Sequence, residues 1–259
     1  MNYVKDVTDF LNHKFDFSSQ TKKDYNDCLV ALIQAIVKRC YGKVFTGISS
    51  GYDSAVLCHI LKQNKADFRC YYVKANENEA IVNQRRQIFN IINLNVDHKA
   101  CREELKKIDD YQYEIEYNPP RPRQIWYNDF AATATFAIAM EAKKAGYNTY
   151  LSTQGSDEIL ADYSLIPEQS YYKGHWPEDL KEWPNFKRSA NISYINKEAR
   201  VAKAAGIDAR YPFLDINFIQ EYLYLAPELK NRNYKSVLYE YLTHYEIPFE
   251  QNVKHGFNV

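Results

Sequence analysis

The stretch that decides the fold is VFTGISSGYDS, residues 44–54. Its first five residues form a short apolar run typical of a buried strand, and a Ser/Gly turn follows. Beyond the turn a helical apolar face is formed by Val56, Leu57, Ile60 and Leu61. Small residues between a strand and a helix let backbone N–H groups converge on an anion, and the helix dipole adds positive charge. The stretch therefore predicts a turn that binds phosphate or pyrophosphate, although a helix-capping role explains Asp53 equally well on local evidence.

Strands alternating with amphipathic helices surround this turn. We expect helices over residues 24–40, 79–94 and 130–145, and strands over 68–73, 95–98 and 149–152. Such alternation favours an α/β fold, with a parallel sheet covered by helices on both faces. We expect a single domain over residues 1–259, with a nucleotide-binding core over 1–160 and a mainly helical part over 161–259 on the substrate side.

The composition narrows the class of protein. The 259 residues include 33 Lys plus Arg and 33 Asp plus Glu, so the net charge gives no reason to expect nucleic acid or an anionic membrane as the main partner. No stretch has the length of a membrane-spanning helix or the pattern of a signal peptide. The cysteines are odd in number and lack C-x-x-C spacing, which favours buried, reduced thiols and a cytoplasmic protein. They are Cys28, Cys40, Cys58, Cys70 and Cys101.

A second polar turn, LSTQGSDE at residues 151–158, follows the predicted strand 149–152. Ligands of open parallel sheets bind at the carboxyl ends of the strands, so Asp53 and Asp157 are expected at one edge. Mg²⁺ takes one or two carboxylates together with phosphate oxygens and water. The two turns therefore predict a magnesium–polyphosphate site on Asp53 and Asp157, while Glu158 is equally suited to capping the next helix.

A third stretch, GIDARYPFLD at residues 206–215, combines acids, an arginine and a Pro-Phe-Leu-Asp turn. Arg210 and Asp215 are also explained as a buried ion pair that fixes the turn.

In this order the three stretches resemble the synthetase domain of the asparagine synthetase family, an ATP pyrophosphatase of the adenine nucleotide alpha hydrolase type. The family's SGGxDS loop corresponds to residues 49–54, its SG(E/Q)G(A/S)DE turn to 152–158, and its E-x-R-x-PFLD segment to 208–215. Lys254-His255-Gly256-Phe257 resembles its lysine-containing C-terminal loop. The resemblance runs from about residue 24 to the end.

The resemblance implies an ATP- and Mg²⁺-dependent ligase. Such an enzyme adenylates a carboxylate, releases pyrophosphate and passes the acyl group to ammonia or another amine. It implies nucleotide contacts from Ser49, Ser50, Gly51, Tyr52, Asp53, Ser54, Val73 and Gly155, with Mg²⁺ on Asp53 and Asp157. The residues it implies for catalysis are Lys254, Asp208, Gln154 and Lys235, with Lys254 neutralising charge on the phosphates or on the tetrahedral oxyanion.

Departures from the family pattern leave other functions open. Ser50 and Thr153 replace glycines, Asp208 is one methylene shorter than the usual Glu, and Gln154 does not titrate near neutral pH. The chain starts at Met1 and reaches the loop within about 50 residues, so we expect no glutaminase domain. Nitrogen would then come from ammonia, an amine substrate or a separate glutaminase subunit. The alternatives are a pyrophosphatase-type enzyme that modifies tRNA bases, and a nucleotide-binding subunit that has lost catalysis.

Overall fold

A computed structural model describes residues 2–113, 123–162 and 170–253. Its helices are α1 (Asn2–Asn12), α2 (Asn26–Val37), α3 (Tyr52–Gln63), α4 (Glu79–Ile88), α5 (His98–Lys106), α6 (Phe130–Lys144), α7 (Ser156–Leu160), α8 (Pro184–Lys187), α9 (Ser189–Ala205), α10 (Ile216–Tyr224), α11 (Pro227–Lys230) and α12 (Ser236–His244). Its strands are β1 (Val44–Gly47), β2 (Phe68–Val73), β3 (Ile91–Leu94), β4 (Gln112–Tyr113), β5 (Gln124–Ile125), β6 (Thr149–Leu151) and β7 (Asp208–Arg210).

Five strands form one parallel sheet in the order β3-β2-β1-β6-β7. Helices flank this sheet, and both α3 and α6 pack against β1. The predicted α/β class with a parallel sheet is confirmed. The division near residue 160 stays a prediction, and the sheet takes its fifth strand, β7, from beyond that position.

The strand order reverses between β1 and β6. From β1 the chain builds β2 and β3 on one side, and it then returns to add β6 and β7 on the other side. A reversal of this kind opens a crevice at the carboxyl ends of the two central strands, where ligands of open α/β sheets bind. The turns after β1 and β6 therefore lie at the expected ligand site.

The predicted helix over residues 79–94 ends early. The Asn78 side chain caps its start by accepting hydrogen bonds from the N–H groups of Ala80 and Ile81, and Phe89 leaves the helix in an extended conformation with φ −118° and ψ 145°. Residues 91–94 then form β3 beside β2. The strand expected over 95–98 is wrong, because Asp97 caps α5, which begins at His98.

All five cysteines are free, and Cys28, Cys58 and Cys70 are buried. No helix within the described regions has the length and apolar character needed to cross a membrane.

Candidate active site

The turns after β1 and β6 bring two acidic side chains to the crevice. Gly51 precedes α3 and Gly155 precedes α7, so Asp53 and Asp157 both lie in the first turn of a helix. Because β1 and β6 are hydrogen-bonded neighbours, these first turns stand side by side at the carboxyl edge of the sheet. Their closeness is set by the sheet, not by their separation in sequence.

One lysine contacts both acids. Lys235 Nζ lies 2.6 Å from each carboxylate oxygen of Asp53 and 2.9 Å from Oδ1 of Asp157. The lysine side chain is buried, whereas the two carboxylates remain partly exposed. Asp53, Asp157 and Lys235, all expected at the site from the sequence, thus form one cluster of two anions and one cation.

The backbone of Lys235 has a left-handed conformation, with φ +47° at the position before α12. This region is uncommon for residues other than glycine and costs about 1–2 kcal/mol. Burial lowers the pKa of the Lys235 ammonium, but Asp157 and Asp53 raise it by more, so its pKa lies well above the ordinary lysine value. The ion pairs therefore hold Lys235 charged in a strained conformation, which is common at functional sites.

Two hydroxyl groups also contact the acids. Ser156 Oγ donates a hydrogen bond of 2.5 Å to Asp53 Oδ1, and Tyr234 Oη donates one of 3.1 Å to Asp157 Oδ1. Each carboxylate thus accepts a hydrogen bond from a hydroxyl group in addition to its contact with the Lys235 ammonium. Sequence reasoning singled out neither residue for this role. Ser156 lay within a recognised motif, but Tyr234 gave no local signal.

The donor set suits magnesium. Mg²⁺ is commonly held by one or two carboxylates and completes its shell with phosphate oxygens and water. Asp53 and Asp157 supply such a pair, and over residues 2–113, 123–162 and 170–253 no group of three or more His, Cys, Asp or Glu side chains is arranged for a metal. The pair therefore fits the carboxylate part of a magnesium site.

The turn at residues 49–51 is held by its own side chains. The Ser49 N–H donates to Ser54 Oγ at 3.1 Å, and the Gly51 N–H donates to Ser49 Oγ at 3.1 Å. The hydroxyl oxygens of Ser49 and Ser54 are themselves 3.0 Å apart. Tyr52, which begins α3, is anchored through its hydroxyl to the carbonyl of Glu250 at 2.9 Å. The predicted anion-binding turn is therefore already ordered around hydroxyl groups.

A buried arginine fixes the carbonyl side of this turn. Arg85 is 0% exposed and donates through Nη1 to the carbonyls of Ser49 and Gly51, the latter at 2.9 Å. Its Nε and Nη2 donate to the Pro248 carbonyl at 3.0 and 2.8 Å. Burial lowers the pKa of the Arg85 guanidinium to about 10, so it remains charged at neutral pH. Nothing in the helical pattern of residues 79–88 indicated this role.

Ser50, which replaces a family glycine, has a specific partner. Its N–H donates to Glu77 Oε2 at 2.7 Å, and its hydroxyl donates to the same oxygen. The Asn78 N–H in turn donates to Ser50 Oγ at 3.1 Å. The substitution thus links the turn to the segment after β2.

The second turn depends on Gly155. Its φ of +93° favours glycine, and an added Cβ would lie 2.5 Å from Cδ2 of Leu214. Before it, the Gln154 N–H donates to Ser152 Oγ at 2.9 Å, and that hydroxyl donates to Glu198 Oε2 at 2.5 Å. Burial raises the pKa of the Glu198 carboxyl. Gln154 and Gly155 are therefore placed beside Asp157 by a supported turn.

A cleft of about 210 Å³ opens next to the first turn, between the ends of β1, β2 and β6 and helix α6. Its walls include Ile48, Val73, Ile138 and Tyr150, and its polar end includes Ser49, Ser54 and Thr153. Val73, expected near adenine, therefore lines a cavity with both apolar and polar walls, next to the predicted anion-binding turn. This volume and polarity suit a planar base.

Asp208 is not brought to this cluster. It opens β7 at the amino end of the strand, and its Oδ2 accepts a hydrogen bond of 3.0 Å from Arg210 Nε. Arg210 also donates to the backbone carbonyl of Arg39, away from the carboxyl edge. Alternate residues of a strand share a face, which explains the pairing of positions 208 and 210. Asp215 instead caps α10 and pairs with Arg39 at 2.8 Å.

Lys254 lies outside the described residues. The segment before it is tied to the site, because the Asn252 N–H donates to Tyr52 Oη at 2.8 Å and Asn252 Oδ1 accepts from the Tyr234 N–H at 3.0 Å. The Asn78 side chain also donates to Glu250 Oε2 at 2.8 Å. The chain up to Asn252 is therefore held against both the first turn and the residue next to Lys235.

Comparison with known proteins gives weak but consistent similarity. The chain is 25% identical over 223 residues to glutamine-hydrolyzing asparagine synthetase 2 of Oryza sativa subsp. japonica, covering 80% of this chain and 36% of that protein. It is 27% identical over 216 residues to glutamine-hydrolyzing asparagine synthetase 2 of Lotus japonicus, covering 77% of this chain and 35% of the relative. The chain is 30% identical over 135 residues to the Brassica oleracea glutamine-hydrolyzing asparagine synthetase, covering 51% of this chain and 21% of that protein.

No protein-family model matches the chain. The chain spans about a third or less of the length of these three relatives.

Proposed function

We propose that this protein is an ATP-dependent carbon–nitrogen ligase of asparagine synthetase type. It would cleave ATP to AMP and pyrophosphate while activating a carboxylate, and transfer the acyl group to ammonia or another amine. The observation that carries this proposal is the cluster of Asp53, Asp157 and Lys235 at the sheet switch point, beside the predicted anion-binding turn and a partly apolar cleft. The similarity to asparagine synthetases supports it.

The proposed nucleotide pose follows from the polarity of the site. The base would enter the cleft against the Val73 backbone, and the phosphates would meet residues 49–54, where α3 contributes the positive end of its dipole. Asp53 and Asp157 would hold Mg²⁺, which when bound draws charge from the α- and β-phosphates. Gly155 would let the second turn approach the nucleotide closely.

Lys235 would change partners when the nucleotide binds. In the described state its ammonium neutralises Asp53 and Asp157. Once the acids hold a metal ion, the same ammonium would lie beside the incoming phosphates and stabilise the charge of the leaving pyrophosphate. Preorganised cations of this kind contribute several kcal/mol in a site shielded from water. From the family resemblance we also assign Lys254 a role in neutralising charge on the phosphates or on the tetrahedral oxyanion.

The amide-forming step would take place beside the second turn. Gln154 would contact the carboxylate or the amine through its side-chain amide, which does not titrate near neutral pH and so orients rather than exchanges a proton. Ammonia, another amine or a separate glutaminase subunit would supply nitrogen, and the relatives are glutamine-hydrolyzing enzymes. Asp208 has no part in this proposal. It lies at the amino end of β7 and pairs with Arg210, whereas the proposed site lies at the carboxyl ends of the strands. We place the reaction in the cytoplasm.

A pyrophosphate-release assay tests the proposal. The protein is incubated with ATP, Mg²⁺ and a panel of small acids, each with ammonium or a primary amine. We expect pyrophosphate and AMP to form with at least one acid, and a new amide to appear in equal amount. Formation of ADP and phosphate would contradict the proposal, because that pattern means cleavage at the γ-phosphate.

A nucleotide-binding subunit without catalysis is the second candidate. It is favoured by Asp208, which stands at the position of a family acid but lies away from the cluster. This candidate predicts ATP binding without AMP formation for every acid and amine in the panel.

A further inference from the structure

Glu77 is a charged side chain in a cleft whose other described lining residues are uncharged. The cleft walls are formed by residues such as Ile48, Val73 and Tyr150, and Glu77 lies near Ser49 and Ser54 at the polar end. A carboxylate there accepts hydrogen bonds and repels phosphate. The part of a ligand that meets Glu77 must therefore carry hydrogen-bond donors rather than phosphate oxygens.

Among the residues that the structure describes, hydrogen bonds reach one oxygen of this carboxylate. Oε2 accepts hydrogen bonds from the N–H and the hydroxyl of Ser50. Within residues 2–113, 123–162 and 170–253, no hydrogen bond reaches Oε1. Glu77 is thus fixed in place through one oxygen, while the other retains its capacity to accept.

The charge of Glu77 is offset by Arg85. Burial lowers the pKa of the Arg85 guanidinium, and its attraction to Glu77 and Asp53 opposes that effect. Arg85 lies under the same turn, bonded to the carbonyls of Ser49 and Gly51. A carboxylate beside a polyphosphate site is therefore tolerated here.

We propose that Glu77 recognises the ribose of the bound nucleotide, accepting a hydrogen bond from a sugar hydroxyl through Oε1. ATP offers donors only at its 6-amino group and its two ribose hydroxyls. With the base against Val73 and the phosphates on residues 49–54, the ribose would lie between them in the cleft that Glu77 also lines. This inference rests on the proposed function and specifies its nucleotide as a ribonucleotide.

Isothermal titration of ATP, 2′-deoxy-ATP and 3′-deoxy-ATP in the presence of Mg²⁺ tests the inference. The wild-type protein is expected to bind ATP about tenfold to a hundredfold more tightly than at least one of the deoxy analogues, as for a hydrogen bond to a charged group. In Glu77→Ala this preference should fall to within about threefold, and Glu77→Gln should give an intermediate value.

Glu79→Gln is the matched control. Glu79 accepts a hydrogen bond from Tyr72 Oη at 2.8 Å, two residues from Glu77, and does not line the cleft. Its loss should leave the ratio of ATP to deoxy-ATP affinity unchanged.

Equal affinities of the wild-type protein for all three nucleotides would overturn the inference and leave the proposed function standing. A uniform loss of affinity in Glu77→Ala with an unchanged ratio would also overturn it, since Glu77 would then only support the turn. Absence of binding for every nucleotide would overturn the proposed function as well.

Discussion

Lys235 Nζ lies 2.6 Å from both carboxylate oxygens of Asp53, a residue 182 positions earlier in the chain. The same ammonium contacts Asp157 at 2.9 Å, so residues from three separate segments meet at one point. The parallel sheet brings the two acids together, and the left-handed residue before α12 supplies the cation. The crevice at the switch point therefore contains two carboxylates in direct contact with one ammonium group.

Replacing Lys235 should lower the stability of the protein and make that stability respond to Mg²⁺. In Lys235→Met two carboxylates lose their shared counter-ion, and we expect the free energy of unfolding to fall by about 2–4 kcal/mol. Added Mg²⁺ should restore part of this loss, because it binds only the folded arrangement of the two acids. Thermal unfolding with and without Mg²⁺ measures both effects.

Lys22→Met is the matched control, since Lys22 also joins two carboxylates, Asp27 at 2.5 Å and Glu221, but at the surface. It should lose less than about 1 kcal/mol and show no specific response to Mg²⁺. An equal Mg²⁺ response in the two variants would contradict the account.

Arg85→Lys should weaken both the fold and nucleotide binding. Lysine keeps the charge but cannot match the five donors of the guanidinium, so carbonyls of Ser49, Gly51 and Pro248 lose partners in a buried place. We expect a loss of about 2–4 kcal/mol in urea unfolding and a lower affinity for ATP. Arg86→Lys on the same helix should change stability by less than about 0.5 kcal/mol, because Arg86 lies outside the core over the ring of Tyr72.

Gly155→Ala and Gly146→Ala separate backbone strain from steric overlap. Both glycines have positive φ, +93° and +82°, but an added Cβ at Gly146 meets nothing within 4 Å. Gly146→Ala should therefore lose about 1–2 kcal/mol, and Gly155→Ala should lose more because its Cβ overlaps Leu214. In a double-mutant cycle, Leu214→Ala should relieve the additional loss. Equal losses of stability at the two glycines would show that the Leu214 side chain moves away from the added Cβ with no loss of stability.

Lys230 should make stability depend on pH. Burial lowers the pKa of its ammonium to about 7, against an ordinary value of 10.5, while its Nζ donates to Gln20 Oε1 and to the Leu223 carbonyl at 2.7 Å each. Between these two pKa values the unfolded chain binds more protons than the folded chain, so stability rises with pH. We expect the melting temperature of the wild-type protein to rise relative to that of Lys230→Met between pH 7 and pH 9. A constant difference across this range would contradict a lowered pKa.

Much of the fold was predictable because the apolar periods are clear. The run over 68–73 has the bounds of β2, and the turns after β1 and β6 were placed at strand ends as observed. The single helix predicted over 79–94 was wrong beyond residue 88, because the apolar residues Ile88, Phe89 and Ile92 suit either a helical face or a short strand. Only the extended backbone at Phe89 decides between them.

The site was predictable only in part. Asp53, Asp157 and Lys235 belong to recognisable motifs, and the meeting of the two acids follows from strand order. Asp208 was assigned to the site because the stretch 208–215 resembles a family motif, although strand geometry places Asp208 and Arg210 on one face, where they pair. Arg85 and Glu77 left no local signal, because their roles depend on tertiary contacts with residues 49–51 and Pro248.

The most direct test of the central claim is product analysis with ATP labelled at the α-phosphorus. With an accepted acid and Mg²⁺, the wild-type protein should convert the label to AMP, while Asp53→Asn and Asp157→Asn should each lower this rate by about a hundredfold or more. Asp27→Asn, which removes a surface carboxylate that also binds a lysine, should leave the rate unchanged. Label recovered in ADP, or AMP formed at the wild-type rate by both site variants, would contradict the account.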